Sequence, residues 1–250
     1  MADKSPVVDA VLGVGGAGGW LCQLRAKSEG NPMIIIDGDE VTESNLNRQF
    51  YSADDVGDPK VKGMQRFLAE ARVPVTSFNE FLYVGSRSYK ALLAQPAMLR
   101  LFVCVDNHPA RRAALALADA RQAEGRQTLI VIAANETTTA SADVYRPSWR
   151  GSPLDFRVRY PEVETDEEGD PLHPPCTGEA LRTQPQLAIA NSLGALCAAW
   201  LADVWSKELP ALAESPLYPE IEKRAPVSIQ WTAGAQKTLS VQDITKEPSE

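Results

Sequence analysis

The sequence predicts an α/β protein: a Rossmann-like, doubly wound, mostly parallel sheet with helices on both faces, followed by a C-terminal helix and short β-strands. Three observations carry this expectation. In VDAVLGVGGAGGW an apolar strand runs through a glycine turn into a helix. The runs MIII, LRLFVCV and TLIVIAA are continuously apolar, as strands buried on both faces are. Segments of helical periodicity alternate with these runs, the pattern of repeated βα units.

In chain order, VVDAVLGV forms the first strand and Gly16 to about Lys27 its helix. MIIIDGD is the second strand, and Gln49 to Gly57 is irregular. After Pro59 a helix begins at KVKGMQRFLAEAR, with Val61, Met64, Phe67 and Leu68 on one face. VPVTSFNEFLYV supplies another strand, and YKALLAQPAM a short helix that Pro96 interrupts or ends. LRLFVCVDN is a buried strand; HPARRAALALADARQAEG is a helix with proline in its first turn and glycine at its end. TLIVIAAN is a further buried strand. Residues 6–145 make the core of one domain spanning 1–250, and about 146–177, rich in proline, glycine and acid, form a crossover loop. The rest, 178–243, is a long helix and a hairpin or edge strands in VSIQWTAGAQKTLSV. In that helix Leu187, Ala190, Leu193, Leu196, Trp200 and Leu201 form a buried stripe. Asn191 and Ser192 interrupt it and argue against a membrane span.

Composition narrows the function classes. A formal net charge of −8 argues against sequence-independent nucleic-acid binding, which needs basic surface to displace counterions. The four cysteines, Cys22, Cys104, Cys176 and Cys197, form no CxxC pair. Cys22, Cys104 and Cys197 lie in apolar runs and read as small buried hydrophobes. With no signal peptide and no paired cysteine framework, a cytoplasmic location is expected.

The chemistry concentrates at the predicted strand ends. Glycines in the first turn let a phosphate approach the backbone, and the helix that follows points its positive end at it. Asp37, ending the second strand, stands where a dinucleotide fold places an acid on a ribose. Singly, each residue has a plain alternative. Asp37 is equally an NAD ligand, Arg48 a surface charge, and Asp106 a cap on the helix near Pro109. Lys60 begins a helix, where a cation is disfavoured, which favours a ligand role.

Taken together, GVGGAG, DGDEVTESNLNRQF, GDPK and VDN occur in the order found in one family. The chain resembles the ThiF, MoeB and E1-like ubiquitin-activating superfamily, most closely over about the first 135 residues. Its small size resembles compact bacterial ThiF-family proteins. The resemblance implies that Gly13, Gly15, Gly16 and Gly18 form the phosphate loop and that Asp37 holds the ATP ribose. It also implies that Asn45, Arg48 and Lys60 contact the phosphates, and that Asp106 binds Mg²⁺ facing the incoming carboxylate. Cys176, in HPPCTGEALRTQP, matches the place where some relatives carry a thioester or persulfide cysteine; its alternative is a loop thiol without chemistry.

Two departures from the family pattern stand out. The zinc-binding CxxC pairs are absent, so no structural zinc is expected. Only MADKSP precedes the first strand, so the arginine that homodimeric relatives lend across their interface has no counterpart. Lys27, Arg111 and Arg112 are the candidate substitutes. The expected function is MgATP-dependent adenylation of the C-terminal carboxylate of a ubiquitin-like protein. Thioester transfer through Cys176 to an E2-like partner in a bacterial conjugation pathway would follow. A homodimer is a candidate assembly, and neither nucleic acid nor membrane is an expected partner. The alternatives are sulfur-carrier activation, a cyclic-tRNA-adenosine dehydratase that the acidic charge disfavours, a catalytically impaired nucleotide-binding scaffold, and an NAD-dependent oxidoreductase, which leaves SNLNRQ and GDPK unexplained.

Overall fold

A computed structural model of the chain describes residues 7–135, 139–166, 188–212, 227–232 and 238–242. Its centre is an eight-stranded sheet in the order β3-β2-β1-β4-β5-β6-β7-β8. β1 (Val7–Leu12), β2 (Met33–Ile36), β3 (Val75–Phe78), β4 (Met98–Val103) and β5 (Thr128–Asn135) pair in parallel. β6 (Thr139–Tyr145), β7 (Ser228–Thr232) and β8 (Thr238–Gln242) extend the sheet in antiparallel fashion. β1 lies between β2 and β4, so the winding reverses there and opens a crevice at the carboxyl ends.

Helices cover both faces, as expected. α1 (Gly16–Ser28), α2 (Lys60–Glu70) and the long α7 (Ala188–Leu212) pack with Val11, Ile35, Phe102 and Val131. α3 (Arg87–Ala94) and α4 (His108–Ala123) pack with Val8, Ala10, Leu12 and Leu101 on the other face. The alternation along β1 is the two-residue period of a strand buried on both sides. α3 stops at Ala94, two residues before Pro96.

Three sequence expectations need correction. In α7, Leu196 and Trp200 of the predicted buried stripe are exposed, and small residues such as Ala195, Ala198 and Ala202 make the buried side with Ala190 and Leu201. The strand β6 went unread, because TASADVY mixes small and polar residues; pairing with β5 and β7, not propensity, makes it a strand. The segment 146–166 is not an open loop. It holds a 3-10 turn (Pro147–Trp149), α5 (Phe156–Arg159) and α6 (Glu162–Thr165), with Trp149, Phe156 and Val163 buried. Three aromatic or branched anchors in a charged stretch outweigh its polar composition. Residues 167–187, including Cys176 and the predicted start of the last helix, lie outside the described residues.

The stretch Ala188–Ser206 of α7 is long and apolar enough, by length and composition, to cross a membrane, so Asn191 and Ser192 do not exclude it on that test. In the fold, Ala190, Ala195, Ala198 and Ala202 are buried, as in a core helix, and α7 lies on α1, β5 and β6. At the opposite end of the sheet from the crevice, buried Asp9 accepts from Arg25 Nε at 3.1 Å and Arg100 Nε at 2.6 Å. Both arginines also reach Glu29, at 3.0 and 2.8 Å.

Candidate nucleotide site

The site is assembled from the ends of β1, β2 and β4 and the starts of α1, α2 and α4. Gly13 adopts a left-handed φ of 81°, and a Cβ there would sit 2.7 Å from the Cys104 carbonyl oxygen. A Cβ on Gly18 would fall 1.8 Å from the Gly13 carbonyl oxygen. These two glycines are therefore demanded by backbone packing against β4 and within the turn. Gly16 has a third reason: the space of its Cβ is held by Asn191, whose Oδ1 lies 2.9 Å away. Gly15 caps α1 without a side chain, and the first turn carries no acid, so its N–H groups fit an anion.

Asp37, the residue expected to hold the ribose, is buried with both oxygens on backbone N–H groups. Its Oδ2 accepts from the Val14 N–H at 2.8 Å and its Oδ1 from the Asp39 N–H at 2.9 Å. The carboxylate thus fastens the glycine turn to β2. Burial raises its pKa, while Lys60 and the two amides pull the other way. The accessible acid is Asp39, two residues on, whose Oδ2 lies 2.7 Å from Lys60 Nζ. Sequence reasoning passed over Asp39, although DGD puts both acids on one side of an extended chain.

Lys60 is buried as the first residue of α2, where its N–H donates to the Asp39 carbonyl at 2.9 Å. Burial alone would lower its pKa, but Asp37 and Asp39 outweigh that and hold it above the ordinary value. Tyr51, also unread in the sequence, donates its hydroxyl to the Val14 carbonyl at 2.6 Å and lies 3.2 Å from the Lys60 carbonyl. It fixes the glycine turn relative to α2.

Asn45 and Arg48 are buried in the SNLNR segment. Asn45 Oδ1 accepts from the Thr42 N–H at 3.0 Å, closing the 3-10 turn Glu43–Asn45. Arg48 donates to the Ser44 carbonyl and, at 3.1 Å, to Asn47 Oδ1. Asp106 is exposed beyond β4, and its charge is felt by both Lys60 and Arg111. It does not cap α4: Asn107 does, accepting from the Ala110 N–H at 2.9 Å. Among the described residues no group of three or more His, Cys, Asp or Glu converges, so a metal here would draw most ligands from elsewhere. Mg²⁺ bound to nucleotide phosphates fits that condition, since it takes few protein carboxylates.

Of the three substitute cations, Lys27 is exposed in the last turn of α1, away from the glycine turn. Arg112 donates to the Val163 and Asp166 carbonyls at 3.0 and 2.8 Å. Arg111 alone is next to the site, donating to the Val105 carbonyl at 3.0 Å beside Asp106.

A reversed winding point with a glycine turn, an uncapped helix start and two buried cations defines a nucleotide-binding α/β protein of the doubly wound class. The ThiF family model matches residues 7–138, and the chain belongs to the ThiF family. Ubiquitin-like modifier-activating enzyme 5 of Drosophila ananassae is 34% identical over 116 residues, 42% of this chain and 29% of that protein. The tRNA threonylcarbamoyladenosine dehydratase of Bacillus subtilis is 39% identical over 62 residues, 24% of each chain. Among solved structures, E. coli MccB with ATP has a TM-score of 0.59 at 20% identity, covering 98% of this chain and 65% of that one. E. coli TcdA, a tRNA N6-threonylcarbamoyladenosine dehydratase, has 0.56 at 16% identity, covering 84% and 88%. At these identities the structures share the fold. The matched stretch spans less than a third of the activating enzyme's own length.

Proposed function

We propose that this chain is an E1-like activating enzyme that adenylates the C-terminal carboxylate of a ubiquitin-like protein with MgATP. The observation that carries this is the grouping around the uncapped α1 start of buried Lys60, which feels the charge of exposed Asp106, and of the buried Arg48 segment, whose carbonyl bonds Trp20 of α1. An NAD enzyme leaves the SNLNRQ and GDPK segments unexplained. In the reaction a carboxylate oxygen attacks the α-phosphorus, an acyl–phosphate bond forms, and the bond to pyrophosphate breaks. Lys60, Arg48 and the helix start stabilise the charge that builds on the phosphates, a role filled in ways worth several kcal/mol in phosphoryl-transfer sites. Asp106 would hold Mg²⁺, which neutralises part of the triphosphate charge, and Asp39 would receive the ribose. The relationship to activating enzyme 5 supports a ubiquitin-like substrate.

Cys176 is the proposed acceptor of the acyl group, its thiolate displacing AMP, before transfer to an E2-like partner in a bacterial, cytoplasmic conjugation pathway. Chemistry supports the choice by contrast. Burial raises the thiol pKa of Cys22 and of Cys197, and pushes that of Cys104 up to about 12, so none of these is a thiolate at neutral pH.

A second reading, a dehydratase acting on a modified tRNA, is favoured by one observation: the chain covers 88% of E. coli TcdA. The net charge of −8 opposes it. ATP–pyrophosphate exchange separates the two. Exchange that depends on a ubiquitin-like protein with a free C-terminal carboxylate, and that Asp106→Ala and Arg48→Ala each abolish without unfolding the chain, supports the first. Exchange or ATP turnover that depends on tRNA instead overturns it.

A further inference from the structure

Asn191 lies in the first described turn of the apolar helix α7, fully buried, 143 residues beyond the segment it serves. Its Nδ2 donates to the Arg48 carbonyl at 3.1 Å, and its Oδ1 accepts from Asn135 Nδ2 at the end of β5. The same Oδ1 occupies the space beside Gly16, the first residue of α1. The Arg48 carbonyl receives a second donor, Trp20 Nε1 at 3.4 Å, from α1 itself. One side-chain amide therefore joins four parts: the phosphate-side helix start, the SNLNR turn, the end of β5 and α7.

A buried amide needs partners for its donor and acceptor, and an apolar residue of similar volume would serve a purely packed helix better. Here its donor is spent on the Arg48 carbonyl and its acceptor on Asn135, beside the start of α1. Small residues surround it, Gly16 on one side and Gly194 one turn on, whose Cβ position lies 3.6 Å from Ala140 Cβ and 3.9 Å from Ala17 Cβ. α7 thereby sits close enough for a short side chain to reach the Arg48 peptide.

We infer that Asn191 is a positioning residue of the nucleotide site: it fixes the Arg48 peptide against the start of α1 and so aims the Arg48 guanidinium at the phosphates. The inference rests on the nucleotide-site reading proposed above. It makes the last helix a part of the phosphate site and not only a cover for the sheet. It also gives Gly16 its requirement, since any Cβ there displaces the amide.

The test is a double-mutant cycle read by calorimetric titration of MgATP into the full chain, with thermal unfolding followed in parallel. Asn191→Leu removes both hydrogen bonds at similar volume, and Asn191→Asp keeps the acceptor for Asn135 while losing the donor to Arg48. Both are expected to raise the Kd for MgATP about tenfold, the scale of one well-placed hydrogen bond. In an Arg48→Ala background the same changes are expected to add less than about twofold, because their effect passes through the missing side chain. Asn191→Ser, small enough to be accommodated and too short to reach the carbonyl, gives the same readout should the leucine variant fail to fold. Full additivity with Arg48→Ala, or an unchanged Kd with only a lowered Tm, overturns the inference alone. A parent chain that does not bind MgATP overturns the nucleotide-site reading and the inference with it.

Discussion

Lys60 Nζ lies 2.7 Å from Asp39 Oδ2, and the Lys60 N–H donates to the Asp39 carbonyl, so two residues 21 apart in sequence are tied by side chain and backbone together. The pair holds a buried cation at the start of a helix, where the dipole disfavours it. Asp39 is half exposed, which limits the ion pair's own contribution to about 0–1 kcal/mol. Lys60→Met is therefore expected to leave Tm nearly unchanged and to weaken MgATP binding at least tenfold, the scale of one charge-assisted hydrogen bond. Titration and thermal unfolding of the same variant check both halves.

Asp37 predicts the opposite split. Both of its oxygens accept backbone N–H groups, a buried one from Val14 and a partly buried one from Asp39. Asparagine offers one acceptor, so Asp37→Asn leaves one amide unsatisfied or facing a donor. The expected loss is about 1–3 kcal/mol of stability, measured by the urea midpoint at constant m. No loss would mean that the carboxylate is not what fastens the glycine turn.

At the far end of the sheet, Glu29 joins Arg25 and Arg100, and its pKa is lowered to about 2. Burial raises it, and the hydrogen bond and charge of Arg100 outweigh burial. The folded pKa lies below the unfolded one, near 4.3 for a free glutamate. The stabilisation is thus fully present above that value and is lost as pH falls from there towards 2. Glu29→Gln should flatten stability against pH across this window and leave MgATP binding unaltered, because the cluster is remote from the crevice. A parent-like acid limb in the variant would assign that limb to other carboxylates.

Much of the fold was legible because its parallel strands are uniformly apolar and its helices carry clear stop signals, such as Gly125 after α4. β6 was not, since small and polar residues carry no period and only the neighbouring strands define it. Within the candidate site, Lys60 stood out as a cation set against the preference of a helix start, whereas Arg48 taken alone read as a surface charge and only the family motif singled it out; both are buried. The motif DGD holds two acids that the sequence did not tell apart: Asp37 bonds the backbone, and Asp39 is the exposed one, paired with Lys60. Asn191 read as a break in an apolar stripe. A lone amide in such a stripe is equally a buried group in need of partners, and its partner is too distant in sequence for any local pattern to reveal.

Cysteine chemistry gives a separate prediction. With Cys22, Cys104 and Cys197 all held as thiols by burial, a thioester adduct should depend on Cys176. Cys176→Ala should keep pyrophosphate exchange and lose the thiol-sensitive adduct on a non-reducing gel. Cys104→Ala should lower stability by opening space beneath the glycine turn and should spare the adduct. An adduct of full yield on Cys176→Ala places the nucleophile elsewhere. Adenylate without any adduct in the parent chain would mean direct transfer to a partner's thiol.

The central claim is that the crevice between β1 and β4 is built for a magnesium-bound triphosphate. Calorimetric titration of the parent chain with MgATP and, separately, with NAD tests it most directly. Saturable one-to-one binding of MgATP, weakened at least tenfold in Arg48→Ala, with no measurable heat from NAD, is the predicted result. Tight NAD binding with none for MgATP would contradict it.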